Sequence, residues 1–156
     1  MRLLFVCTGN TCRSAMAESI AKRLIAERNL RDIEVSSAGT AAWEGTPASD
    51  GSLLVTIERS IDISQHRSRL LSREIVEGSD LILAMGPHHM ERIEALGGKA
   101  KSQLLTDYAS RGTSSRAIAD PFGGELSGYR ATYEDLQREL MLVLDRIAAE
   151  RSPGVS

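Results

Sequence analysis

The residues best equipped for chemistry stand together near the start of the chain. Cys7-Thr8-Gly9-Asn10-Thr11-Cys12-Arg13-Ser14 follows directly on the apolar run Leu3-Leu4-Phe5-Val6. The pattern is Cys-x5-Arg-Ser, set between a strand and a helix. Successive backbone N–H groups of such a loop, with a helix N-terminus behind them, form a concave anion site. Arg13 adds a planar fork able to bond two phosphoryl oxygens at once. These donors favour thiolate over thiol, so Cys7 is expected to have a lowered pKa. Ser14 is expected to donate to the sulfur and stabilise it as a leaving group. Gly9 and Asn10 are residue types that tolerate the unusual backbone angles of a tight loop. Thr8, Gly9, Asn10, Thr11, Cys12, Arg13 and Ser14 are thus read as a phosphate cradle, with Cys7 as its nucleophile.

A second chemical signal is Asp120-Pro121, at the end of a polar loop over 109–119. When a thiolate displaces a phosphoryl group, the departing atom must take up a proton, and a carboxylic acid on a loop can deliver it. Phe122 follows where an aromatic ring can wall the pocket. His88-His89 could suggest a metal, but adjacent helix positions point in different directions. Both are expected to be solvated.

These groups need a frame, and strand-like runs alternate with helix-like ones. Residues 2–7 read as strand, and 14–28 as a helix with Ala17, Ile20, Ala21, Leu24 and Ile25 on one face. A strand is expected over 33–37, stopping at Ala38-Gly39, then a helix over 47–59 with Pro47 near its start. The continuous apolar run 81–85 suits a strand buried on both faces. A helix over 87–96, a short strand near 103–106 and a last helix over 127–150 complete the order. Tyr133, Leu136, Leu140, Val143, Leu144 and Ile147 form the apolar stripe of that last helix. Such alternation predicts a mainly parallel sheet covered on both faces, with the ligand beyond the carboxyl ends of its strands. Cys7 is at one of those ends.

Bulk properties set the limits. With 156 residues and a hydrophobic fraction of 42%, residues 1–150 are expected to form one domain. The tail, residues 151–156, is expected to be disordered. A net charge of −2 implies neither a nucleic acid nor an anionic membrane as partner. No signal peptide or membrane span is expected. Two cysteines and three histidines argue against a disulfide scaffold and a zinc cluster. A cysteine needed as thiolate favours a reducing compartment, and the cytoplasm is expected.

On these residues the chain resembles the low-molecular-weight protein tyrosine phosphatase family over nearly its whole length. The likeness rests on the Cys7–Ser14 loop, Ser37-Ala38-Gly39, His66-Arg67-Ser68-Arg69 and Asp120-Pro121-Phe122-Gly123-Gly124. It implies a flavodoxin-like, doubly wound α/β fold with a four-stranded parallel sheet and helices on both faces. It also implies hydrolysis of a phosphorylated protein in two steps, by a monomer or weak dimer and without metal or organic cofactor. Cys7 would become a phosphocysteine with Asp120 as general acid, and Asp120 would then activate a water. By family position Asn10, Ser37 and His66 would hold the loop in shape, and Trp43 would wall the substrate cleft. Cys12 would form a reversible disulfide with Cys7, protecting it from irreversible oxidation.

Thr11 bears on the substrate. Tyrosine-specific members usually carry a larger aliphatic there, against the phenyl ring. The short, polar threonine resembles the protein arginine phosphatase branch, in which the aspartate also contacts the guanidinium. Phosphoarginine is therefore the expected substrate and phosphotyrosine the alternative. Arsenate reductases share the loop but need further cysteines, and this chain has only Cys7 and Cys12. A non-catalytic phosphoprotein-binding module would not require Cys7, Arg13 and Asp120 together. A nucleotide P-loop is excluded, because no Gly-x4-Gly-Lys occurs.

Overall fold

A computed structural model of the chain describes residues 1–151. The first apolar run forms strand β1 (Arg2–Cys7), which pairs in parallel with β2 (Glu34–Gly39) on one side and β3 (Leu81–Ala84) on the other. Strand β4 (Ser102–Leu104) pairs with β3, giving a four-stranded parallel sheet of order β2-β1-β3-β4. This is the flavodoxin-like arrangement expected, and the direction in which successive strands are added reverses between β1 and β3.

Side-chain alternation along the strands sorts the core into two layers. Leu3, Phe5, Leu81, Leu83 and Met85 pack with helix α1 (Arg13–Glu27) and the long helix α6 (Leu126–Glu150). Leu4, Val6, Ile82 and Ala84 face the opposite way, onto Val76 of α3 (Arg73–Glu77) and Ile93 of α4 (Pro87–Ala95). Period-two strands between helices on both sides leave no sheet face to solvent. The expected stripe of α6 is buried throughout, joined by Tyr129. No helix among the described residues is long and apolar enough to cross a membrane.

Several boundaries differ from expectation for local reasons. β2 runs on to Gly39, because its pairing with Cys7 outweighs the small-residue stop signal. Helix α2 (Asp50–Glu58) begins three residues after Pro47, where Ser49 caps it by accepting from the Ser52 N–H. The short helix α3 escaped the periodicity because five residues carry barely one turn. Helix α5 (Leu105–Ser110) takes over part of the expected fourth strand and of the polar loop. Arg151 closes α6 through its N–H to Ile147, and the remainder of the expected tail, 152–156, lies outside the described residues.

Leu83 and Leu140 are both fully buried, one in the sheet and one in α6. Leu83→Ala and Leu140→Ala should each destabilise the fold by about 2–5 kcal/mol, read as a shift of the denaturant midpoint. A loss below 0.5 kcal/mol, on the same estimate, would contradict the packing of α6 on this sheet.

Candidate active site

The loop after β1 is shaped by what draws its carbonyls outward. Thr40 and Ala41 N–H groups donate to the carbonyls of Cys7 and Thr8 at 2.9 and 3.0 Å. His66 Nε2 donates to the Asn10 carbonyl at 2.7 Å, and Ser49 N–H to that of Thr11 at 3.0 Å. With the carbonyls engaged outside, amide N–H groups are left for the interior of the cradle. Those of Ser14 and Asn10 favour the thiolate form of Cys7. Asn10 supplies the left-handed residue the turn requires, with φ of 58°. Gly9, expected to share that task, is absent from the left-handed region. The glycine needed by close approach is Gly39, where a Cβ would stand 2.3 Å from the Thr8 carbonyl oxygen.

Beneath the loop, one side-chain network has a defined hydrogen-bond polarity. Arg69 N–H donates to Asn10 Oδ1 at 2.9 Å, which fixes the amide and leaves both Nδ2 hydrogens to give. They go to Ser14 Oγ at 2.7 Å and Ser37 Oγ at 2.9 Å. Ser37 spends its own hydrogen on the Glu18 carboxylate at 2.6 Å. Ser14, already accepting from Asn10, donates to Cys7 Sγ at 2.9 Å. The structure thus brings Asn10 and Ser37 together in this network with Glu18 and Arg69, and places His66 on the Asn10 carbonyl.

Cys7 is only 2% exposed. Burial pushes its thiol up from the ordinary value, against the Ser14 hydroxyl and N–H, the Arg13 charge and the Asn10 N–H. This corrects the expected lowering: loss of water around the sulfur outweighs the donors of the cradle.

Arg13 lies buried under the loop, with one terminal nitrogen donating to the Ile118 carbonyl at 3.2 Å. The other lies 3.5 Å from an Asp120 carboxylate oxygen. Its Nε–H has no partner among the described residues. A buried guanidinium donor left so is costly unless an anion accepts from it.

The loop carrying Asp120 is tied down to within one residue of it. Arg116 forms a two-pronged pair with Asp135 at 2.8 and 2.6 Å, and its carbonyl accepts from Thr106 at 2.6 Å. Ile118 N–H donates to the Met85 carbonyl at 2.8 Å, and Thr132 Oγ1 to Ala119 at 3.3 Å. Beyond Ala119, Asp120 and Phe122 are exposed while Pro121 between them is buried, and Asp120 accepts from the Phe122 N–H at 3.1 Å on the side away from Arg13.

Cys7, Thr11, Arg13 and Asp120 meet in one cleft of about 370 Å³, with Trp43 and Phe122 among its walls. Both rings are largely bare, 84% and 69% exposed. Trp43 is held through its backbone, its carbonyl accepting from the buried Ser68 hydroxyl. Cys12 lines the same cleft as a free thiol, with Ser49 Oγ at 3.1 Å and the Tyr129 hydroxyl at 3.6 Å.

The histidine pair also departs from expectation. His88 is exposed, but His89 is fully buried, because the third position of α4 turns its ring back onto the Gly86 N–H. Ser49 was missed, although a serine just ahead of an apolar run is a helix-cap signal that could have found it. Glu18, Arg69 and Ile118 carry no local signal, since their roles depend on partners far along the chain. Among the described residues no cluster of three or more His, Cys, Asp or Glu side chains is placed to hold a metal ion.

Comparison with known proteins points the same way. The sequence profile described as "Low molecular weight phosphotyrosine protein phosphatase" matches residues 2–152. A protein-arginine-phosphatase of Geobacillus stearothermophilus is 38% identical over 147 residues, covering 94% of this chain and 93% of that protein. The low molecular weight protein-tyrosine-phosphatase PtpB of Staphylococcus haemolyticus is 36% identical over 137 residues, covering 87% and 92%. Among solved structures, a YwlE arginine phosphatase superposes with a TM-score of 0.90 at 31% identity, covering 100% of both chains. That structure is a cysteine-to-serine mutant with a phosphorylated active site serine.

The polarity of the network can be tested at Ser14. Its hydroxyl stabilises the thiolate, so Ser14→Ala should raise the Cys7 titration further, by about one to two pH units. The check is the pH profile of iodoacetamide alkylation, followed on the loop peptide by mass spectrometry. An unmoved profile would show that the hydroxyl does not donate to sulfur.

Proposed function

This chain belongs to the low molecular weight phosphotyrosine protein phosphatase family, and on that premise we propose that its preferred substrate is protein phosphoarginine. The chain is a cysteine-dependent protein phosphatase; the finer proposal concerns which residue carries the phosphoryl group and which side chains act. After its proton is lost to solvent, Cys7 Sγ attacks phosphorus as thiolate, the P–N bond breaks, and Asp120 gives its proton to the departing guanidinium nitrogen. The loop N–H groups and Arg13 hold the equatorial oxygens as charge builds. In the second step Asp120 takes a proton from water, which attacks the phosphocysteine. Inorganic phosphate leaves, and the sulfur departs as thiolate with Ser14 donating to it.

The observation that carries the arginine reading is the pairing of Thr11 with a half-exposed Asp120 carboxylate across one cleft. A short polar side chain leaves room for a planar cation, and the carboxylate can face it. Trp43 and Phe122 support a second reading, since flat apolar walls also suit the ring of phosphotyrosine. The tyrosine-phosphatase name of the staphylococcal relative favours it too. Arsenate reduction has less support: both cysteines of the chain sit in the loop, leaving none outside to pass a disulfide on. A thiol that must remain reduced supports a cytoplasmic setting, and the protein is taken to act as a monomer or weak dimer.

Hydrolysis of phosphoarginine and phosphotyrosine peptides should be compared on wild type and Thr11→Ile. Wild type should prefer phosphoarginine, and the substitution should move the preference toward phosphotyrosine; a preference that does not move would refute the role of Thr11. Asp120→Ala should slow the first step by about 10²–10⁴-fold, and less for aryl phosphates with good leaving groups. An equal loss for all leaving groups would rule out Asp120 as the acid.

A further inference from the structure

Thr8, next to the proposed nucleophile, has a hydroxyl whose polarity is set from outside the loop. Its Oγ1 lies 2.9 Å from Nε2 of His89, the fully buried ring in the first turn of α4. Nδ1 of that ring accepts from the Gly86 N–H at 3.0 Å. A ring nitrogen that accepts carries no hydrogen, so the neutral imidazole holds its proton on Nε2 and donates it to Thr8. A hydroxyl offers two lone pairs and one hydrogen. With His89 on a lone pair, the Thr8 hydrogen has no partner among the described residues, and Thr8 lines the cleft beside Cys7 and Arg13.

We propose that His89 is a positioning residue for the phosphoryl site, anchoring Thr8 so that its hydroxyl is presented as a donor to a phosphoryl oxygen. The role rests on the reading of this cleft as a phosphatase site and adds a side chain to it. His89 touches Thr8 and not the reacting atoms.

Two further features fit this role. Gly86 directly follows Met85, whose N–H bonds the Val6 carbonyl at 2.9 Å and whose carbonyl receives Ile118. Ile118 in turn receives Arg13. The end of β3 therefore aims two donors at one anion: Arg13 through Ile118, and Thr8 through His89. The ring also keeps its tautomer across the working range. Burial first, then the charges of His88 and Arg13, bring His89 down to about 4, with the Gly86 backbone and then Asp120 opposing. At neutral pH it is uncharged, and no hydrogen on Nδ1 competes with Gly86.

The test uses inorganic phosphate as a competitive inhibitor of aryl phosphate hydrolysis. Thr8→Val and His89→Leu should each weaken phosphate binding by about ten- to a hundredfold, the worth of one hydrogen bond to a charged group. Thr8→Ser should bind as wild type. The double variant Thr8→Val/His89→Leu should be no weaker than either single one, because His89 acts through Thr8. Losses that multiply in the double variant, or a Thr8→Val protein that binds phosphate normally, would overturn the proposal. Should His89→Leu fail to fold, His89→Gln keeps a donor for Thr8 and should bind phosphate within a few-fold of wild type. A His89→Gln loss as large as that of Thr8→Val would count against it. Wild type that does not bind phosphate at all would remove the phosphatase reading of the cleft as well; normal wild-type binding with unaltered variants would remove only the role of His89.

Discussion

The orientation of one amide governs this site. Asn10 accepts from the Arg69 backbone and is thereby left with two hydrogens to give, one to Ser14 and one to Ser37. Were the amide reversed, Ser14 would face an acceptor and turn its hydrogen away from sulfur. Glu18 secures the same polarity from the far end, because a carboxylate only accepts and Ser37 must donate to it. Asn10 is also the residue in the left-handed region that closes the loop. Backbone shape and hydroxyl polarity are therefore vested in a single residue, fully buried where water cannot substitute for a lost partner.

The sheet explains how such a residue comes to be held. β1 has neighbours on both sides, so its carboxyl end opens into the gap between chains that wind in opposite directions. β2 delivers Ser37 and Gly39 to one flank of the loop, and β3 delivers Met85 and Gly86 to the other. The segment from His66 to Leu71 then straps the loop from outside. His66 and Arg69 hold Asn10, and Ser68 holds the Trp43 backbone. One short strap thus connects the phosphate cradle with an aromatic wall of the cleft.

Much of this could be read before any coordinates, because the loop chemistry is local. Cys7, Arg13 and Ser14 lie within eight consecutive residues, and their strand–loop–helix setting is visible in apolar periodicity. Asp120 stood out in the sequence because the proposed reaction demands a proton donor and Asp-Pro sits on a polar loop. His89 misled, since a histidine beside another histidine on a short helix carries no sign of burial; only the fold of α4 against β3 decides it. The direction of the Cys7 titration misled for a related reason. Donors can be counted along a sequence, but the loss of water around an atom cannot. Glu18 reads as an ordinary solvated helix residue until Ser37, on another strand, is brought to it.

The anchoring of the loop ahead of Asp120 has an entropic meaning. Fixing a flexible residue costs on the order of 1–2 kcal/mol, and a free polar loop would incur that cost at every turnover to bring its carboxyl to the leaving group. Here Arg116, Ile118 and Ala119 are already held by Asp135, Met85 and Thr132. What is left to be placed is the Asp120 side chain itself, half exposed beside Arg13. In the proposed mechanism the carboxyl then acts from a short tether, at high effective concentration over the cleft for both the departing substrate and the arriving water.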